Sequence, residues 1–211
     1  MKLIRNLIGL LFSLVILSAV VVIVYIWVNP PVTSVFIQHK FSTSERVSKF
    51  WVDSDLISPY MKDAVLASER INLAQQTGLD AISGILDDLV PVLTERDDRS
   101  LQKRIAVDLF LWKSDSGFVR YLESWFGFLI HLFWSEHRML EVHLNTAYFG
   151  EHQFGVQAAA QHFWRLDSDQ VGPAQATLAA AVLPNTDRFS IRNPSPVVRA
   201  RQALIMAEMA K

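Results

Sequence analysis

The hydrophobic pattern divides the chain into two unequal parts. From Leu7 to Val28 no charged residue interrupts the run LIGLLFSLVILSAVVVIVYIWV. At about 1.5 Å of rise per residue, a helix of that length spans roughly the hydrocarbon core of a bilayer. The run is longer than the apolar region of a cleavable signal and no A-x-A-type site follows it, so it predicts an uncleaved transmembrane helix over residues 7–28. Asn29-Pro30-Pro31 ends the helix. Lys2 and Arg5 precede it, and the next basic residue is Lys40. This asymmetry places residues 1–6 in the cytoplasm and the rest of the chain on the far face, with Tyr25 and Trp27 at the outer interface.

Beyond Val28 the period is mostly helical. Residues 29–56 read as a linker and approach segment, in which Val32 to Ile37 alternates weakly and predicts a short extended piece. Ile57-Ser58-Pro59 opens a helix, with Ser58 as cap and Pro59 in the first turn. Ala64, Ala67, Ile71 and Ala74 recur along it at helical spacing, and Gly78 suits its end. Leu79–Thr94 repeats the pattern with a break or kink at Pro91. Helices are also predicted over Leu101–Trp112, Phe118–Trp134, Glu136–Ala147 behind a Ser135 cap, Phe154–Phe163, Pro173–Leu183 and Pro194–Ala210. Trp125 to Trp134, WFGFLIHLFW, is too short to span a membrane. It is either a buried core helix or an aromatic face dipping into the outer leaflet. The fold class is therefore mainly α: one helical domain, residues 57–211, behind one N-terminal transmembrane helix.

Composition narrows the chemistry. The 211 residues contain no cysteine, which removes disulfides and thiolate catalysis, and the net charge of −1 gives no case for nucleic acid. There is no HExxH, no P-loop and no G-x-S-x-G elbow; no cofactor is called for, and a divalent cation is left open. Carboxylates remain. Glu69 lies four residues after Val65 and four before Leu73, so its helical neighbours are aliphatic. Partial desolvation on such a face is one way a general base is tuned, although a glutamate on a helix is more often simply solvated. Glu123 has Arg120 three residues before it, within reach of an ion pair. Two carboxylates in different settings are the pattern of glycosyl-transfer chemistry.

The segment Leu140-Glu141-Val142-His143-Leu144-Asn145-Thr146-Ala147-Tyr148-Phe149-Gly150 resembles the ILExYLNxxxFG signature of the monofunctional biosynthetic peptidoglycan transglycosylases, glycosyltransferase family 51, with His143 in place of the Tyr. Leu109–Trp112, Phe154–Ala160, Ala179–Asn185, Asn193–Pro196 and Arg199–Ala203 continue the likeness in order. The resemblance implies a lysozyme-like helical fold that polymerises lipid II into glycan strands at the outer face of a bacterial inner membrane, releasing undecaprenyl diphosphate with inversion. It places the chain's domain in the periplasm, with lipid II, the growing strand and the membrane as partners and cell-wall synthesis proteins as candidates. It puts Glu69 at the general base of the EDxxFxxHxG motif and Glu123 at the glutamate of RKxxE, with Arg120 on the motif's Lys. Ser100, Gln102, Lys103, Arg104, Arg120, Arg138 and Asn145 fall at substrate-binding positions.

The chain also departs from the family pattern. Arg70, Leu73 and Gln76 replace the Asp, Phe and His that follow the base. Asp97-Asp98 and Lys103-Arg104 replace the glycines and the Gln pair of the GGSTITQQ loop, while Val119 and Glu136 replace two basic residues. Reversing a charge beside a diphosphate weakens its binding. An active polymerase therefore stands beside a binding or scaffold protein that no longer polymerises, and beside a lytic hydrolase on the same fold.

Overall fold

The computed structural model describes residues 2–42, 47–76, 100–112, 114 and 116–211. The helical pattern at Leu79–Thr94, the Gly78 terminator and the Asp97-Asp98 pair lie outside these residues. Numbered over the described residues, the helices are α1 (Lys2–Val24), α2 (Ser34–Ser42), α3 (Pro59–Gln76), α4 (Leu101–Phe110), α5 (Gly117–Phe133), α6 (Glu136–Thr146), α7 (Val156–Trp164), α8 (Pro173–Val182) and α9 (Pro196–Met209). Two short strands, β1 (Ser48–Lys49) and β2 (Gln153–Phe154), pair in parallel with Ser48 opposite Gln153.

Local chemistry explains most of the boundaries. The hydroxyls of Ser116, Ser135 and Ser195 accept the backbone N–H groups of Val119, Arg138 and Val198, capping α5, α6 and α9. Pro173 and Pro196 occupy first-turn positions, where their missing N–H costs nothing. Ser58 precedes α3 as expected, but its hydroxyl donates to the Val171 carbonyl at 2.6 Å and ties α3 to the approach of α8. The alternating stretch at Val32–Ile37 is not extended; it enters α2. There Ser34 donates to the carbonyls of Val107 and Leu111, and Gln38 to that of Leu111, so docking on the end of α4 overrides the weak strand pattern. The extended piece comes later, at Ser48–Lys49.

Helices α3, α8 and α9 pack together. Ala176, Ala179 and Ala180 of α8 are buried, and such small side chains let neighbouring helices approach closely. Buried Arg201 of α9 donates to Ser68 Oγ at 3.2 Å and Asn72 Oδ1 at 2.9 Å, fixing the rotation of α3. Helix α4 packs against α5 and α6. Gly155, at φ +83°, lets the chain turn into α7 where a Cβ would lie 2.9 Å from the Asn145 carbonyl.

The stretch Arg5–Val24 of α1 is long and apolar enough to cross a membrane. Its C-terminal end is bound to the body by polar anchors. Trp125 Nε1 donates to Ser18 Oγ at 3.1 Å and Trp134 Nε1 to the Val22 carbonyl at 2.9 Å. Past Val24 the carbonyls of Tyr25 and Val28 have no helical N–H to meet, and Arg138 supplies donors for both. Its Nε and Nη2 bond Tyr25 O at 3.0 and 2.8 Å, Nη2 bonds Val28 O at 3.0 Å, and Nη1 bonds Asn29 Oδ1 and Glu141 Oε2. A cation at a helix C-terminus also suits the helix dipole. Arg138→Ala leaves these partly buried acceptors without their donors and is expected to cost about 1–3 kcal/mol in detergent-solubilised protein. Chemical denaturation followed by Trp fluorescence measures it, and an unchanged midpoint contradicts this role.

Candidate active site

Helix α3 presents Glu69 between Ser68 and Asn72, the two residues that Arg201 holds. Arg201 grips one side of the helix, and Glu69 reaches from it toward the first turn of α4. One carboxylate oxygen, Oε2, accepts the Leu101 backbone N–H at 3.2 Å. The other, Oε1, forms an ion pair with Arg104 Nη2. Leu101 N–H is among the first-turn donors that a helix leaves unmet, so Glu69 caps α4 from another helix. Ser100, at the N-cap position itself, makes no side-chain cap bond. The Glu69 and Arg104 side chains are only 19% and 9% exposed, so their attraction is weakly screened.

The setting of Glu69 is thus polar on the α4 side, where the helical spacing had shown only aliphatic neighbours. The adjacent Arg70 is exposed; the cation at the carboxylate is Arg104. The ion pair and the backbone donor together fix the position of the carboxylate between α3 and α4.

Helix α5 meets α4 from another side. A Cβ at Gly127 would lie 3.1 Å from Lys103 Cγ, so the two helices touch closely there. Glu123, one turn before Gly127 and on the same face, is buried at 5% exposure. Among the described residues no ion pair joins it to Arg120, which is exposed. Helix α4 is therefore the common element: Glu69 bonds to its first turn, and the buried face of α5 that carries Glu123 packs along it. Gln102 and Lys103 are half-buried on that turn and Ser100 is exposed.

Other predicted residues are engaged with the chain itself. Asn145 is fully buried; its Oδ1 accepts Val52 N–H and its Nδ2 donates to the carbonyls of Val52 and Glu141, each at 2.8 Å. It pins the approach segment to α6. Arg138 holds the residues just past the C-terminus of α1, as described above. Among the described residues no group of three or more metal-ligating side chains occurs.

Sequence reasoning did not pair Arg104 with Glu69, because 35 residues separate them. A signal was available. Arg104 lies among the buried Leu101, Ile105 and Ala106, and a charge on a buried stripe requires a partner. His143 is the second such residue. It is 2% exposed, and among the described residues neither ring nitrogen has a hydrogen-bond partner. Burial, and then the nearby Arg104 charge, lower its pKa from 6.5 to about 3, so the ring is neutral at physiological pH.

The Transglycosylase family model matches residues 37–210. A biosynthetic peptidoglycan transglycosylase of Pseudomonas putida is 36% identical over 216 residues, covering 99% of this chain and 92% of its own. The protein of that name in Ectopseudomonas mendocina is 35% identical over 214 residues, covering 98% and 88%. That of Pseudomonas syringae pv. tomato is 37% identical over 199 residues, covering 91% and 84%.

The unfolded chain protonates His143 near pH 6.5 and the folded chain only near 3. Folding stability is thus fully present above pH 6.5 and falls as the pH drops from 6.5 toward 3. The His143→Phe variant, which cannot titrate there, is expected to lose less melting temperature than wild type between pH 7 and pH 5. Equal losses contradict the assignment.

Proposed function

Since the chain belongs to the peptidoglycan transglycosylases of glycosyltransferase family 51, we propose that it polymerises lipid II into glycan strands, with Glu69 as general base. The observation that carries this reading is the Glu69 carboxylate bonded to Arg104 and the Leu101 N–H of α4, the helix against which the Glu123 face of α5 packs. Glu69 takes the proton from the acceptor sugar hydroxyl. The freed oxygen attacks the donor's anomeric carbon from the face opposite the diphosphate. The bond between that carbon and the phosphate oxygen breaks, its electron pair leaves with undecaprenyl diphosphate, and the configuration inverts. Glu123 works at the donor diphosphate. Arg120 and Lys103 supply positive charge for the leaving group, and Ser100 and Gln102 line its approach. Arg104, Arg138 and Asn145 hold the frame in which these groups work.

The membrane arrangement belongs to the same proposal. Trp125 binds Ser18 within the apolar stretch of α1, so α5 lies beside the helix suited to the bilayer. Phe118, Tyr121, Phe128 and Leu132 of α5 are 56–70% exposed. Such a face is stable in an apolar surrounding, which supports its lying in the outer leaflet. With Lys2 and Arg5 inside, residues 1–6 are cytoplasmic and the domain, residues 57–211, is periplasmic. The lipid-linked substrate then meets the site at the membrane surface.

Purified full-length protein given labelled lipid II is expected to make glycan polymer, and Glu69→Gln to slow this by roughly 10²–10⁴-fold. Wild type that binds lipid II without polymerising it indicates a scaffold protein and overturns the proposal. Soluble fragments released from finished cell wall indicate a hydrolase instead. Undiminished rates in Glu69→Gln remove that residue from the role of base.

A further inference from the structure

Helix α2 is fastened differently at its two ends. At its start, Ser34 donates to the carbonyls of Val107 and Leu111 on α4, and the preceding Thr33 is fully buried. Near its far end, His39 Nε2 meets His152 Nδ1 at 2.7 Å, while Lys40, Phe41 and Ser42 beyond are exposed. The rings of Phe36 and His39 rest against Phe154 of β2. Gln38, His39 and Ser42 form one wall of a cavity of about 430 Å³, and Arg104, the partner of Glu69, lies in its lining.

A contact between two imidazole nitrogens holds only while one of them carries a proton and the other does not. A neutral or singly charged pair meets that condition. With both rings protonated, two N–H groups and two like charges face each other. Burial, and then the charge on His152, lower the pKa of His39, with Asp187 acting in the opposite sense. The other titratable and charged groups around this end of α2 are Lys49 of β1, Arg104 and Asp108 of α4, and Tyr148 and Glu151 beside His152. Lys40 is its neighbour on α2 itself.

The turn is the fixed side of this contact. Glu151 and His152 occupy left-handed backbone, at φ +49° and +62°. Arg192 Nη2 and His162 Nε2 each lie 2.8 Å from Glu151 Oε2. These bonds, that of Arg192 above all, lower the Glu151 pKa to about 2, so its hold persists across the range in which histidine titrates. Repulsion between the two rings therefore moves α2 rather than the turn.

We propose that His39 and His152 form a proton-sensitive latch, which holds the far end of α2 on the turn at residues 150–153 and, once both rings are charged, releases it about the Ser34 anchor and opens the cavity wall opposite Arg104. The latch rests on the geometry of α2 and the turn and does not require the polymerase reading. A released histidine titrates near pH 6.5, whereas the latched pair resists its second proton. The latch is thus fully held above about pH 6.5 and weakens about tenfold for each pH unit below it, until the latched pair itself takes up that proton.

Hydrogen exchange read by mass spectrometry on the detergent-solubilised full chain tests this. A nine-residue helix is not stable alone, so release of its far end exposes the amides of residues 38–42 to exchange. After correction for the intrinsic pH dependence of exchange, their protection in wild type is expected to fall about tenfold from pH 6.5 to pH 5.5. In His39→Gln, which keeps a donor and an acceptor but cannot be charged, the fall should be less than twofold. His152→Asn, a residue that tolerates left-handed backbone, should behave alike and decides the matter if His39→Gln fails to fold. Unchanged protection in wild type, or an equal fall in a folded variant, overturns the latch. Exchange is read without turnover, so this result and the polymerisation of lipid II are judged separately.

Discussion

The ion pair between Glu69 and Arg104 is the constraint on which the site depends. Both side chains are largely withdrawn from water, and leaving either alone would place an uncompensated charge in the interior. The pair joins α3 to α4 and fixes the end of α4 at which the Leu101 N–H also turns toward the carboxylate. Arg201 supplies the complementary restraint, gripping the residues on either side of Glu69 from α9. The Glu69 carboxylate is therefore held from two directions. The side chains that would meet substrate, Lys103 and Gln102, project from the same first turn.

A second set of polar contacts relates that frame to the bilayer. Trp125, Trp134 and Arg138 bond to the C-terminal half of α1 and to the residues just past it, so this long apolar helix is tied to the body at that end. The aromatic face of α5 is carried alongside it.

Much of this was legible in the sequence, for identifiable reasons. The uninterrupted apolar run announces α1, and the Ser135 cap marks the start of α6, because these signals are local. Glu69 and Glu123 stood out once the ordered motifs were aligned. What local patterns could not carry was the pairing of distant groups. Arg104, at a substrate-binding position of the family pattern, also faces Glu69, and the polar groups of Arg138 and Asn145 meet the backbone of Tyr25 and Val28, just past α1, and of Val52. A motif records which side chains a site requires without separating those that touch substrate from those that hold the frame. Likewise the weak alternation at Val32–Ile37 gave way to docking on α4, since a short period-2 pattern is outweighed by hydrogen bonds to another helix.

The account stands on Arg104 acting through Glu69, and a kinetic double-mutant cycle tests that most directly. Polymerisation of lipid II would be compared in wild type, Arg104→Gln, Glu69→Gln and the double variant, as kcat/KM. If Arg104 serves by holding the base, Arg104→Gln costs roughly tenfold or more beside intact Glu69 and almost nothing once Glu69 is gone. The same cost in both backgrounds, with full additivity, would show that the two residues work independently and would contradict the account.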